Sequence, residues 1–328
     1  MKTLYIGGTG EISYSCIHAG AALGHKITLF NRGRCTEPLP PGTEQIHGDM
    51  ADNASYRQLA SRRWDVVCQF RAYDPPAVQR DIDLFAGKVG QYLFISSASV
   101  YSKPPQSYVL TEDHPADNKF WAYSKNKSLA EETLLAAHRA GNIPVTILRP
   151  SHTYHRNFPG IALPGDDNAW RLLHGKPVII HGDGTSLWTY THAEDFARPF
   201  VRLLGNAGAL GETFHLTHHM FGYNWNQIYS ACAAALGVEA KLVHIATETL
   251  VRAKPDLQGN LLGDKAWPSL FDNSKIKRVV GEFSPTVSLE QGLRGAAVHI
   301  RKRMETHKAD EGLHAWADRM IAAQQAIH

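Results

Sequence analysis

The chain opens with a pattern that leaves few folds available. Lys2-Thr3-Leu4-Tyr5-Ile6 is short, apolar and strand-like, and the turn Gly7-Gly8-Thr9-Gly10-Glu11-Ile12-Ser13 follows it directly. From Tyr14 to about Leu23 the apolar residues recur at helical spacing. A strand, a glycine turn and a helix in that order bring free backbone amides and the positive helix end to one point. That arrangement suits the pyrophosphate of a dinucleotide. Gly7 allows the tight turn, and Gly10 lets the backbone approach the phosphates. Thr9, Glu11 and Ile12 complete this end of an expected cofactor site.

The pattern continues. Strands are expected near residues 26–30, 44–47, 65–70, 92–97 and 144–149, with helices in most of the gaps, including 121–140. Such alternation predicts an α/β fold with a doubly wound parallel sheet of the Rossmann type and helices on both faces. The second strand ends in Asn31-Arg32-Gly33-Arg34, without the acidic residue that would hold a ribose 2′-hydroxyl. Asn31 and Arg32 suit a 2′-phosphate instead, so the cofactor is read as NAD(P), leaning towards NADP; a merely solvated basic turn is the alternative. Asp49 and Met50, after the third strand, are expected at the adenine.

Tyr123 and Lys127 stand four residues apart, on one face of the helix over 121–140. A free phenol has a pKa near ~10, and a neighbouring ammonium is expected to lower it. With the hydroxyl of Ser97 holding a substrate oxygen, these groups form a proton-transfer device for interconverting an alcohol and a ketone. The cofactor would carry the hydride.

Together these residues resemble the extended short-chain dehydrogenase/reductases, the NAD-dependent epimerase/dehydratase family. The match rests on the glycine turn, Ser97, Tyr123, Lys127, Leu148-Arg149-Pro150 and Tyr190-Thr191-His192-Ala193-Glu194-Asp195, and runs from residue 1 to about 295. The resemblance implies that Tyr123 is the general acid/base and that Ser97 polarises the substrate oxygen. It also implies that Lys127 binds the nicotinamide ribose and that Pro150 lines the cofactor site. Two positions depart from the pattern: Ser13 replaces a third glycine, and Ser102 replaces the glycine after Val100-Tyr101.

The substrate side departs further. Members acting on nucleotide sugars usually carry arginines for the diphosphate; Trp188 and Leu261 stand at two such positions, and His152 replaces a common asparagine. The substrate is therefore read as a nucleoside or unphosphorylated sugar rather than a nucleotide sugar, with Ser99, His152 and Trp188 as candidate contacts. Arg156, Arg171 and Arg252 are possible displaced replacements. Ala98-Ser99 follow Ser97 where dehydratases usually have an Asp-Glu pair. The leading reading is oxidation to a transient ketone, then epimerisation or water elimination and re-reduction. Tyr101, Lys103, Glu112 and His152 are candidates for the second proton carrier. Alternatives are a net NADP-dependent alcohol dehydrogenase or ketoreductase, a nucleotide-sugar 4-epimerase with displaced phosphate ligands, and a non-catalytic RNA-binding or nucleotide-sensing protein.

The remaining features bound the answer. A chain of 328 residues with 43% hydrophobic and 20% charged residues fits a globular protein with a large core, and a net charge of +3 argues against nucleic acid or membrane partners. Residues 1–154 are read as the dinucleotide domain, with 187–217 returning to it. Residues 155–186 and 218–295 form a smaller interleaved substrate lobe, and 296–328 a charged helical extension with Arg301-Lys302-Arg303 solvated. The His pairs lack metal-ligand spacing, so no metal is expected. Four scattered cysteines suit a reducing cytoplasm, and the first residues read as a core strand rather than a leader. The family resemblance implies a homodimer.

Overall fold

The computed structural model describes residues 1–327; His328, the end of the expected terminal helix, lies outside the described residues. Seven strands form one sheet in the spatial order Thr213–Leu216, Val145–Pro150, Val89–Ile95, Trp64–Gln69, Lys2–Ile6, Lys26–Asn31, Glu44–His47. Every pairing is parallel. Parallel strands need covering on both faces, and the side chains alternate accordingly. Leu4, Ile6, Val67, Tyr92 and Phe94 join one core with Val78, Ile82, Ala130 and Leu134. Those last four come from the helices Pro75–Phe85 and Ala122–Arg139. Tyr5, Val66, Cys68, Leu93 and Ile95 join the opposite core with Cys16, Ile17, Phe196 and Phe200, from the helices Ser13–Ala22 and Ala193–Leu203. The fold is the doubly wound α/β class expected from the sequence.

Strand order reverses beside Lys2–Ile6, and a crevice at the carboxyl ends of the strands is the place such a sheet offers a ligand. The fifth strand ends at Ile95, two residues earlier than expected, so Ser96 and Ser97 leave the sheet and turn into that crevice's rim.

A third core lies beyond the sheet. It gathers Tyr154, Leu172, Ile179, Trp188, Trp225, Ile228, Leu261 and Leu293. Its strands are short pairs of distant segments, Val178–His181 with Leu242–Ile245 and Leu187–Trp188 with Tyr223–Asn224; a further pair, Leu270–Phe271 with Val109–Leu110, belongs to a small fourth cluster with Ala98, Val100 and Tyr101. The helix Trp225–Ala235 starts from a capping box of Asn224 and Gln227.

The single helix expected over 296–328 is two, Leu289–Met304 and Glu311–Gln325. Asp310 ends the gap by accepting from Leu313 N at 3.0 Å, which caps the second helix. Ala296, Ala297, Ile300, Ala317 and Ile321 from these helices are buried in the third core. Nor is the basic run simply solvated. Arg301 donates to Leu236 O at 2.6 Å and Arg303 to Asp166 Oδ2 at 2.9 Å, tying the helix to the lobe. No described helix is long and apolar enough to cross a membrane.

Candidate functional site

A cavity of about 400 Å³ opens where the sheet order reverses. It brings together Gly7, Gly10, Glu11, Ile12, Ser97, Ser99, Tyr123, Lys127, Pro150, His152 and Trp188. A second cavity, of about 410 Å³, shares Gly7, Gly10 and Arg71 with the first and is lined by Thr9, Asn31, Arg32, Asp49 and Met50. The residues read as the catalytic trio, the cofactor contacts and the substrate contacts thus border one of two adjoining cavities, whereas Tyr101, Lys103, Glu112 and Leu261 do not.

The turn between them is tied to itself. Gly7 takes φ +82° and its N–H bonds Phe30 O at 3.0 Å. Ser13 Oγ donates to Gly7 O at 2.8 Å and accepts from Gly10 N at 2.9 Å. The serine that replaces a third glycine therefore braces the turn. Glu11 accepts from the backbone amides of His155 and Arg156 at 3.0 and 2.9 Å and pairs with Arg156 Nε at 3.2 Å. Its carboxylate is thus committed within the protein. That pairing also holds Arg156 at the turn. Arg171 is fully buried against Asp318, and Arg252 is exposed on the helix Thr247–Ala253. The arginine that lines both cavities is Arg71, which the sequence reading missed. Its only signal was its place just past the fourth strand.

Ser97 sits at the head of a short hydroxyl chain. Its Oγ lies 2.8 Å from Ser99 Oγ, which lies 2.7 Å from the buried Ser124 Oγ. Lys127 Nζ donates to Ala72 O and Ile95 O, both at 2.7 Å, and stands 6.0 Å from the Tyr123 ring centre. Burial pushes the lysine pKa down to about 7; Glu131 opposes the shift and Arg71 adds to it. Tyr123 is pushed up to about 12, first by burial and then by Tyr73, against a hydrogen bond from Ser97. The expected lowering of the phenol by Lys127 is therefore not found. The ammonium is spent on two carbonyls, and desolvation of the phenolate outweighs it.

Rings and one ion pair build the far wall. Trp188 is buried, 4.4 Å from Trp225 and 4.7 Å from His152 between ring centres. Its Nε1 reaches Asp264 Oδ1 at 3.5 Å. Lys265 Nζ lies 3.6 Å from Asp264 Oδ2 and 4.9 Å from the Trp188 ring centre. Burial, with Lys265 adding, pushes His152 down to about 3, so it is neutral at ordinary pH. Trp121 lines the cavity and lies against Gly259, where a Cβ would fall 2.2 Å from Trp121 Cδ1. Trp121, Asp264 and Lys265 were not read from the sequence. Leu261, which stands at one of the usual arginine positions, is core.

Of the four candidate second proton carriers, His152 lines the cavity. Lys103 is buried beside it, donating to Ser269 Oγ at 3.1 Å. Tyr101 and Glu112 belong to a separate network: Tyr101 bonds Arg149 and His215, and Glu112 accepts from His215 N at 2.7 Å. Among the described residues no group of three His, Cys, Asp or Glu side chains is arranged to hold a metal ion.

Residues 77–216 match the sequence model of the NAD dependent epimerase/dehydratase family. The 2′-dehydrokanamycin reductase of Streptomyces kanamyceticus is 24% identical over 287 residues, covering 86% of this chain and 80% of that protein. The chloroplast stem-loop binding protein of 41 kDa b from Arabidopsis thaliana is 28% identical over 265 residues, covering 74% of this chain and 65% of that protein. Among solved structures, UDP-glucuronic acid 4-epimerase from Bacillus cereus in complex with NAD has a TM-score of 0.74 and 21% identity, covering 94% of this chain and 99% of that one; it shares the fold. Residues 77–216 thus carry the sequence pattern of the NAD dependent epimerase/dehydratase family, within a chain that has the fold of the solved epimerase.

Proposed function

We propose that this protein interconverts a secondary hydroxyl and a ketone on an unphosphorylated, sugar-type ring, using NAD(P). The observation that carries this reading is the cavity itself. Ser97, Tyr123 and Lys127 meet the glycine turn at one end, and Trp121, Trp188, Asp264 and Lys265 line the other. Rings and a neutralised ion pair suit a hydroxylated ring better than a diphosphate, which calls for forked cations. A nucleoside meets the same description.

The residues fit the dinucleotide. Gly7 gives a backbone-only floor, and the buried Nδ2 of Asn31 has no partner among the described residues. When bound, the cofactor supplies hydride exchange with the substrate carbon. Arg32 and Arg34 line the second cavity, where they favour NADP over NAD. Ser97 would hold the substrate oxygen, and Tyr123 would exchange its proton.

Net reduction is the direction best supported. A phenol held up at about 12 keeps its proton at neutral pH and is ready to give it to a ketone oxygen. Two of the four possible second proton carriers, Tyr101 and Glu112, are engaged elsewhere. A cofactor cycle through a transient ketone remains the second reading, because His152 lines the cavity with an unprotonated ring, although burial makes that ring a weak base. The two separate in deuterated water with a panel of keto sugars and keto nucleosides. Stoichiometric consumption of reduced nicotinamide without enzyme-dependent deuterium beside the carbonyl supports net reduction. Deuterium uptake without net cofactor change supports the cycle, and neither outcome with any member of the panel rejects both.

A further inference from the structure

We propose that Arg71 is a clamp for the dinucleotide's diphosphate, compensating for a backbone amide that Ser13 takes out of use; the proposal rests on the cofactor reading above. A glycine turn binds phosphate through amides that have no other partner. Here Gly10 N–H is already bonded to Ser13 Oγ at 2.9 Å, and the same hydroxyl is anchored by donating to Gly7 O at 2.8 Å. The Glu11 carboxylate stands on the same turn and is neutralised by Arg156. The turn thus offers an anion fewer donors than its glycines suggest.

Arg71 stands where the deficit is. It stands two residues past the end of the strand Trp64–Gln69, and its backbone N–H is fixed by Gln69 Oε1 at 2.8 Å. Gln69 is itself held from below, its Nε2 donating to the buried Asp81 Oδ2 at 2.6 Å. From that fixed base the side chain crosses the turn: a Cβ on Gly7 would fall 2.2 Å from Arg71 Cγ and 2.9 Å from Cδ. Gly7 therefore leaves room for the arginine as well as supplying its positive φ. The guanidinium carbon lies 5.4 Å from the Tyr73 ring centre. Among the described residues no carboxylate pairs with it. Arg71 borders both cavities, whereas Arg32 and Arg34 border the second alone. A forked, always-charged donor between the two halves of the site matches a diphosphate linkage, to which it can bond bidentately.

Titration calorimetry on the full chain tests this, with ADP-ribose and adenosine as probes. Arg71→Ala should weaken ADP-ribose binding roughly 10- to 100-fold, the size of a lost charge-assisted hydrogen bond. Adenosine affinity and the thermal midpoint should stay unchanged, because Arg71 is exposed, and Arg71→Lys should fall between. The ratio of NAD⁺ to NADP⁺ affinity should be preserved. Ser13→Gly added to Arg71→Ala should recover part of the loss, because it frees the Gly10 amide. ADP-ribose affinity in Arg71→Ala within about twofold of the unaltered protein overturns the clamp. Selective loss of NADP⁺ overturns it too, moving Arg71 to the 2′-phosphate. No recovery from Ser13→Gly overturns the compensation by Ser13. Failure of the unaltered protein to bind ADP-ribose at all overturns the cofactor reading and the clamp with it.

Discussion

The sheet half and the substrate lobe are built on opposite plans. In the sheet, strands that are near in sequence pair in parallel, Lys2 with Lys26 and Thr28 with Glu44, and the inner strands Lys2–Ile6, Trp64–Gln69 and Val89–Ile95 show the two-residue alternation of a covered layer. In the lobe, Val109 pairs with Leu270 and Val178 with Leu242, and the core is closed by helices from the far end of the chain. The first plan is written locally and holds Ser97, Tyr123 and Lys127 at the cavity. The second depends on distant contacts and supplies Trp188, Asp264 and Lys265. Substitutions in the two halves should therefore fail differently.

The largest contrast is between Tyr123 and Trp188. Tyr123→Phe removes the proposed proton donor while keeping the ring; kcat for the ketone found by the substrate panel should fall by about 10²- to 10⁴-fold with the melting midpoint unchanged. Trp188→Ala removes a buried ring packed against Trp225 and His152. Its main effect should be on stability, about 3–5 kcal/mol by denaturant titration. A stable Trp188→Ala with altered substrate choice would instead make the tryptophan a binding surface rather than a core residue.

Next in size is the ion pair that fixes the Tyr123 helix to the sheet. Arg149 Nε and NH2 both bond the Glu131 carboxylate, at 2.6 Å for the shortest contact, with both side chains buried. Glu131→Ala strands a buried guanidinium and should cost about 3–5 kcal/mol. The loss should appear as one transition for the sheet half, followed by amide exchange in Val145–Pro150 and in the Tyr123 helix.

The two plans also explain what the sequence disclosed. Strand positions, the glycine turn, Ser97, Tyr123 and Lys127 were legible because period, turn chemistry and spacing are local signals. Arg71, Trp121, Asp264 and Lys265 were not. Each reaches the cavity through tertiary packing, Trp121 by lying on Gly259 and Lys265 by a π-helical turn over Leu261–Lys265. The rise of the Tyr123 pKa was hidden for the same reason, since it follows from burial rather than from the neighbouring lysine. The break at residues 305–310 was not legible because no Gly or Pro marks it.

Acid should separate the halves. His181 is buried in the lobe beside Lys265 O, and burial pushes its pKa down to about 4 from an unfolded value near ~6.5. The unfolded chain therefore binds more protons between those values. The stability that neutral His181 contributes is complete above about pH 6.5 and is lost as pH falls towards about 4. The loss at pH 4 is on the order of 3 kcal/mol. His181→Gln should flatten the acid limb of stability, read by the fluorescence of the lobe tryptophans. An unchanged limb would shift the acid sensitivity to the sheet half.

The smallest difference lies between two ion pairs of nearly equal length. Arg62 meets Glu44 at 2.7 Å on the sheet's outer strand, and Arg171 meets Asp318 at 2.6 Å in the lobe. The first pair is about half exposed on both sides, with relative exposures of 45% and 46%, so water screens it and replaces it at little cost. Arg62→Ala should change stability by less than about 1 kcal/mol and lose even that in high salt. In the second pair Arg171 has no exposure, while Asp318 keeps 47%. Asp318→Ala leaves that guanidinium with Pro177 O as its remaining acceptor among the described residues. The cost should exceed that of Arg62→Ala and resist salt, because the stranded cation lies beyond the reach of screening ions. Equal costs for the two substitutions would mean that the C-terminal helix lifts from the lobe and lets water reach Arg171. The lobe's distant contacts would then be looser than its packing implies.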